Sequence, residues 1–111
     1  MHSDRERSAL LDILDNITLA ENFIKDQSFE NFRGDLMRLY AVTRCLEIIS
    51  EASRRLSPAL KQRHPGIGWR QMAAAGNIYR HEYDDVAAHR VWDTVRLALP
   101  PLRATVEQEL E

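Results

Sequence analysis

The chain is short of cysteine, lysine, glycine and proline, and each shortage excludes something. Cys45 is the only cysteine among 111 residues. An intramolecular disulfide and a Cys-based zinc site are therefore both excluded. Four glycines and four prolines are too few for a collagen-like or low-complexity chain. No apolar run approaches the roughly 18 residues of a membrane span. The net charge of -2 supplies no global field toward nucleic acid or membrane. Met1-His2-Ser3-Asp4-Arg5-Glu6 is polar and no signal peptide follows it, so the expected setting is the reduced cytoplasm. With 44% hydrophobic and 29% charged residues, the chain has enough apolar material for a globular core and is not a disordered polyelectrolyte. Its length suits one domain, residues 1–111. The cations are nearly all arginine; only Lys25 and Lys61 are lysine. Arginine suits phosphate and carboxylate recognition, although an arginine-rich codon bias produces the same excess.

What is present reads as helix throughout. Ser3-Asp4-Arg5-Glu6 has the form of a capping box. Leu10, Ile13, Leu14, Ile17, Phe23 and Ile24 then recur at helical spacing to about Asp26. Asp26-Gln27-Ser28 is a break. A second helix, expected to be the longest and the central one, begins near Phe29 or Asn31. It carries Leu36, Leu39, Tyr40, Thr43, Leu46, Ile49 and Ala52. Val42, Cys45 and Ile48 widen its apolar arc, so that it meets neighbours on two sides, one of which suits a second copy of the chain. Ser57-Pro58 has the cap-plus-proline form of a helix start. The segment from Arg63 to Gly68 is a loop. Trp69 to about Tyr79 forms a third helix. A fourth starts at Asp84 or Asp85 and is expected to stop at Pro100-Pro101. Leu102, Val106 and Leu110 then mark a last amphipathic helix. No segment alternates like a strand. The fold class is all-α, a small up-and-down bundle of four to five helices.

Three features can carry chemistry. Gly76-Asn77-Ile78-Tyr79-Arg80-His81-Glu82-Tyr83 gathers an amide, a guanidinium, an imidazole, a carboxylate and two phenols at a helix end. Asn77 and His81 share a helical face, and Gly76 and Arg80 share another. An Arg beside a His suits phosphodiester work: His moves a proton near neutral pH and Arg neutralises charge on phosphate. A surface His with Tyr79 and Tyr83 in the core is the plain alternative. The second feature is Arg44, Glu47 and Glu51 within the apolar second helix. They form either a simple i,i+3 surface pair or a support for groups on the third helix. The third is a set of single residues. His64 reads as a solvated loop residue and His2 as part of a disordered end. His89, with Glu82, Asp84 and Asp85, matches no metal-ligand spacing. Cys45, inside an apolar stretch, reads as inert.

Several stretches, in order along nearly the whole chain, resemble the HepT-like toxins of the HEPN superfamily. They are Tyr40-Ala41-Val42-x-Arg44-x-Leu46-Glu47-Ile48-Ile49-x-Glu51-Ala52, His64-Pro65-x-Ile67-x-Trp69, Asn77-x-x-x-His81-x-Tyr83, Val91-Trp92-x-x-Val95 and Leu99-Pro100-x-Leu102. The resemblance implies a helical homodimer with active sites in a cleft at the interface, and a ribonuclease that needs no metal or other cofactor. RNA, not DNA, is the implied substrate, and no membrane is involved. A minimal nucleotidyltransferase is the implied antitoxin, silencing the toxin by attaching AMP to Tyr83. In this reading His81 is the general acid/base, Asn77 contacts phosphate or His81, and Tyr83 orients substrate. Arg44, Glu47 and Arg70 support the site or bind anion.

One position departs from the family pattern. Gly76 stands where the motif arginine belongs. Arg80, one turn later on the same side, is the expected substitute, reaching back toward the place that Gly76 leaves. Loss of that arginine also fits a second reading, an interaction module that binds a nucleotidyltransferase, nucleotide or RNA without cutting. Arg44, Arg70 and Arg80 are then anion-binding groups.

Overall fold

The computed structural model describes residues 2–78 and 84–111, with residues 77, 78, 84 and 85 described only by their place in helices. All regular structure among them is helical: α1 (Asp4–Ile24), α2 (Phe29–Arg33), α3 (Leu36–Ser53), α4 (Pro58–Arg63), α5 (Trp69–Ile78), α6 (Asp84–Asp93), a π-helical turn (Thr94–Ala98) and α7 (Leu99–Leu110). The all-α bundle expected from periodicity is the fold.

Local chemistry sets most boundaries. Ser3 caps α1 by accepting the Glu6 N–H at 3.0 Å. The chain leaves α1 through Asp26, whose φ of 62° lies in the left-handed region that few non-glycine residues enter. Ser57 caps α4 by accepting the Leu60 N–H at 3.1 Å, with Pro58 at the first helical position. Proline costs nothing there, because that N–H would have no helical partner.

The helix expected from Phe29 onward is two helices. Ser28 caps α2 through the Asn31 N–H at 3.1 Å, α2 ends at Gly34, and Asp35 caps α3 through the Arg38 N–H at 3.1 Å. A second cap seven residues after the first restarts the helix in a new direction. The aromatic side chains of α2 use that freedom: Phe29 stacks on His89 at 4.1 Å and Phe32 lies 5.4 Å from Trp92. The split leaves α3 with 18 residues, shorter than the 21 of α1. Its expected central place is nonetheless correct, for α3 packs on α1, α2, α5 and α6.

Pro100-Pro101 does not end a helix. Helical structure runs without a gap from Asp84 to Leu110, by way of the π turn. Proline lacks the N–H that would bond four residues back. Just before the pair, the Leu99 N–H bonds instead to the Thr94 carbonyl, five back. The Thr94 hydroxyl also donates to the Arg90 carbonyl at 2.7 Å, a bond of the kind that bends helices. The wider turn absorbs both defects.

The bundle closes on one apolar cluster. Leu10, Ile13, Ile17, Ile49, Leu60, Val91, Leu99 and Leu102 are fully buried. Glu6, expected to reach back to its own helix start, is buried and accepts the Ser57 N–H at 2.6 Å. It thus completes the cap of α4 from α1. Burial, the largest single effect, pushes its carboxyl up, but the hydrogen bonding from Ser57 together with the charges of His2 and Arg63 brings it below the usual range. Among the described residues no helix is long and apolar enough to cross a membrane.

Candidate functional site

The described part of the candidate site is the end of α5, where it lies against α3. Gly76 is buried there. A Cβ on it would meet the Ser50 hydroxyl at 3.4 Å and the Glu47 Cα at 3.5 Å, ordinary van der Waals contact. One turn earlier, the Ala73 carbonyl accepts two side-chain bonds from α3: Ser50 Oγ at 2.8 Å and Arg54 Nη2 at 2.5 Å. Residue numbers rise along one helix as they fall along the other, so α3 and α5 run antiparallel. The two donors fix the seam.

Asn77, at the end of α5, is on this seam's last turn. Its side chain, and all of Arg80, His81 and Tyr83, lie outside the described residues, as do Tyr79 and Glu82. The supporting residues are described. Arg44 and Glu47 form their i,i+3 pair at 3.8 Å, with Arg44 70% exposed and Glu47 21%. Glu47 thus faces the α5 seam and Arg44 its rim. Arg70 is exposed at the start of α5, seven residues and about 10 Å of helix rise before Asn77. Arg44 and Arg70 stand toward opposite ends of the seam, and the structure does not bring them together. On its other side α5 borders a cleft of about 640 Å³, lined by Ile67, Met72, Ala75, Arg90, Asp93 and Ala98 among others. Gly76 therefore lies toward α3, beside Glu47 and Ser50.

A second polar cluster went unrecognised in the sequence. Glu109 of α7 accepts from His2 at 2.8 Å, His64 at 2.6 Å and Arg63 at 2.7 and 3.1 Å. Its side chain is only 9% exposed. The Arg63 hydrogen bonds, then those of His64 and His2, hold its carboxyl well below the usual range against the opposing effect of burial. His64 is thus a bound residue and not a solvated one, and His2 is held rather than disordered. Nothing local to either histidine signals this, because the partner is 45 and 107 residues away. His64 also offers its carbonyl to Trp69 Nε1 at 3.0 Å, so the clasp carries into the first residue of α5.

The remaining sequence candidates are placed plainly. Cys45 is buried and burial pushes its thiol up, which leaves it protonated and unreactive. The His89 ring stacks on Phe29. Among the described residues no group of three or more His, Cys, Asp or Glu side chains is placed to hold a metal.

The chain matches the model of the Ribonuclease HepT-like family over residues 13–109, and it belongs to that family. It is similar to the "Probable ribonuclease HepT" of Thermococcus cleftensis, at 38% identity over 99 residues that span 89% of this chain and 90% of that one. It is similar also to the "Putative RNase MJ1380" of Methanocaldococcus jannaschii, at 33% identity over 101 residues, 91% of this chain and 93% of the other. No solved structure matches the chain.

Proposed function

We propose that this protein is a metal-independent endoribonuclease and the toxin of a toxin–antitoxin pair. The observation that carries the reading is the Asn77-x-x-x-His81-x-Tyr83 string, set in a chain that belongs to the Ribonuclease HepT-like family. RNA supplies its own nucleophile, the 2'-hydroxyl. The protein then has to move protons and stabilise charge on phosphorus. His81 serves as general acid/base. Arg80 supplies the guanidinium that position 76 lacks. Asn77 bonds phosphate or holds His81, and Tyr83 orients the substrate. The partner is a minimal nucleotidyltransferase that silences the toxin by transferring AMP from ATP to the Tyr83 hydroxyl, with pyrophosphate as the leaving group. The adduct places bulk and negative charge where phosphate must bind. The working form is a homodimer, and the exposed start of α3, with Met37 and Tyr40, is the face offered to the second copy.

A second reading is favoured by one observation. Gly76 stands at the motif arginine position and is buried against Glu47 and Ser50. On this reading the chain binds nucleotidyltransferase, nucleotide or RNA and does not cut. Incubation with labelled total RNA in chelator separates the two, with mass spectrometry confirming that Tyr83 is unmodified. Cleavage by the wild type and a loss of about 10²–10⁴-fold in His81→Ala is the outcome expected of a general acid/base. Arg80→Ala should abolish cleavage. No cleavage by unmodified protein decides for the binding module.

A further inference from the structure

We infer that the outer surface of α2 and α6 is a binding track for single-stranded RNA, on which one unstacked base lies against the His89 ring. This rests on the proposal that RNA is what the chain handles, and it uses none of residues 79–83. The rings on this surface form a column. Phe29 of α2 meets the Trp92 ring edge-on at 5.9 Å. His89 stacks on Phe29 at 4.1 Å, with 27° between the planes. Trp92 is buried, Phe29 half-buried and His89 exposed. The column therefore runs from the core to solvent and ends in an imidazole. Phe29 covers one face of that imidazole, so its exposed surface includes the other. An open aromatic plane is what a splayed nucleobase stacks on, and histidine is among the side chains that serve.

Charge near the ring suits a phosphate backbone. From His89 to Ala98 the chain carries Arg90 and Arg96 against the single carboxylate of Asp93, and both arginines are exposed. The Arg96 guanidinium lies 5.7 Å from the centre of the Trp92 ring, within cation–π range. That contact holds it beside the column. On α2, which packs against α6, Glu30 and Arg33 pair at 3.6 Å and cancel. This stretch is thus locally cationic in a chain of net charge -2. Aromatic planes flanked by cations are how sequence-tolerant single-strand binding is built. Duplex RNA keeps its bases stacked on one another, so the track selects single strands.

The test titrates the full chain with a fluorescein-labelled single strand of about 12 nucleotides. Its 2'-hydroxyls are methylated, so that it cannot supply the nucleophile for its own cleavage. The same strand in a duplex is the comparison. Binding is read by fluorescence anisotropy and the His89 ring protons by NMR, on variants shown to melt cooperatively. The His89 signals should shift when the single strand is added, and the duplex should bind more weakly. His89→Ala should weaken binding about 5- to 100-fold, the range for one lost base stack, and His89→Phe should restore it. Arg96→Gln should reduce the slope of log affinity against log salt by about 0.7, the loss of one phosphate contact. No binding by the wild type, or binding that leaves the His89 signals unmoved and is unchanged in His89→Ala, would overturn the inference. So would a change of mass in His89→Ala by light scattering with RNA binding intact, which would make this surface a protein interface. Cleavage of unmodified RNA is assayed separately. Binding through His89 without cleavage leaves the track standing and ends the nuclease reading; cleavage with wild-type binding in His89→Ala does the reverse.

Discussion

Single carboxylates carry unusual weight in this small bundle. Glu109 joins the N-terminal segment, the α4–α5 loop and α7 through His2, Arg63 and His64. Removing one partner of a buried charged network leaves the others unsatisfied. Glu109→Gln should therefore cost about 1–3 kcal/mol at pH 7, measured by urea unfolding. The pH dependence follows in sign. The folded carboxyl ionises more easily than the unfolded one. Its contribution is full above the unfolded value near 4.3 and is lost as the pH falls toward the lower folded one. The gap in stability between wild type and Glu109→Gln should close as the pH falls below about 4. A gap as large at about pH 2 as at about pH 5 would contradict the geometry. Gly76 makes the opposite kind of case. It is helical, its φ is not positive, and a Cβ there meets only ordinary contacts. Gly76→Ala should raise stability by about 0.5–1 kcal/mol, the helix-propensity difference, seen as a higher urea midpoint. A loss would show that the α3–α5 seam has no room for one methyl group.

At the scale of elements, the caps decide where helices start and distant partners decide what they do. Ser28 and Asp35 split one periodic stretch into α2 and α3. This frees Phe29 and Phe32 to pack on His89 and Trp92. Glu6 begins α1 yet completes the cap of α4. Glu6→Ala leaves the Ser57 N–H without its acceptor and should cost about 1–2 kcal/mol. Hydrogen exchange should localise the loosening to α4, including Leu60, before it reaches α3. The π turn shows the same economy. Two prolines that would stop an isolated helix are carried through it, because α7 is held to α1 by Arg103, which bonds Thr18 at 3.0 Å and pairs with Glu21.

For the whole molecule, the exposed apolar residues are the main clue to assembly. Met37 is 84% exposed and Tyr40 64%, with Leu36 beside them at the start of α3. Large apolar side chains grouped on a surface mark interaction sites more often than isolated ones do. With a chain mass of 12.9 kDa, the proposed homodimer predicts twice that mass by light scattering. Met37→Asp combined with Tyr40→Asp should return the protein to monomer without loss of helix content. Cleavage should fall with the dimer, since the proposed site lies at the interface. A wild-type monomer that cuts RNA would remove the interface from the mechanism.

Much of this could be read from the residues themselves. Apolar periodicity determined that the chain is helical. Ser3, Ser57-Pro58 and the loop before Trp69 mark real boundaries, because caps and prolines act within one turn. The ordered Asn77, His81 and Tyr83, with the stretches around them, were enough to indicate the family. Tertiary structure decided what depends on distance in space. The His2 and His64 roles turned on Glu109, and the capping role of Glu6 turned on Ser57. The helix through Pro100-Pro101 depended on a π turn stabilised by packing. Ser50 and Arg54 met their shared acceptor, the Ala73 carbonyl, only when α5 came to rest against α3. Local interactions act between neighbours in sequence and can be read there. Which carbonyl a buried serine meets is set by how two helices pack, and that is a property of the folded chain.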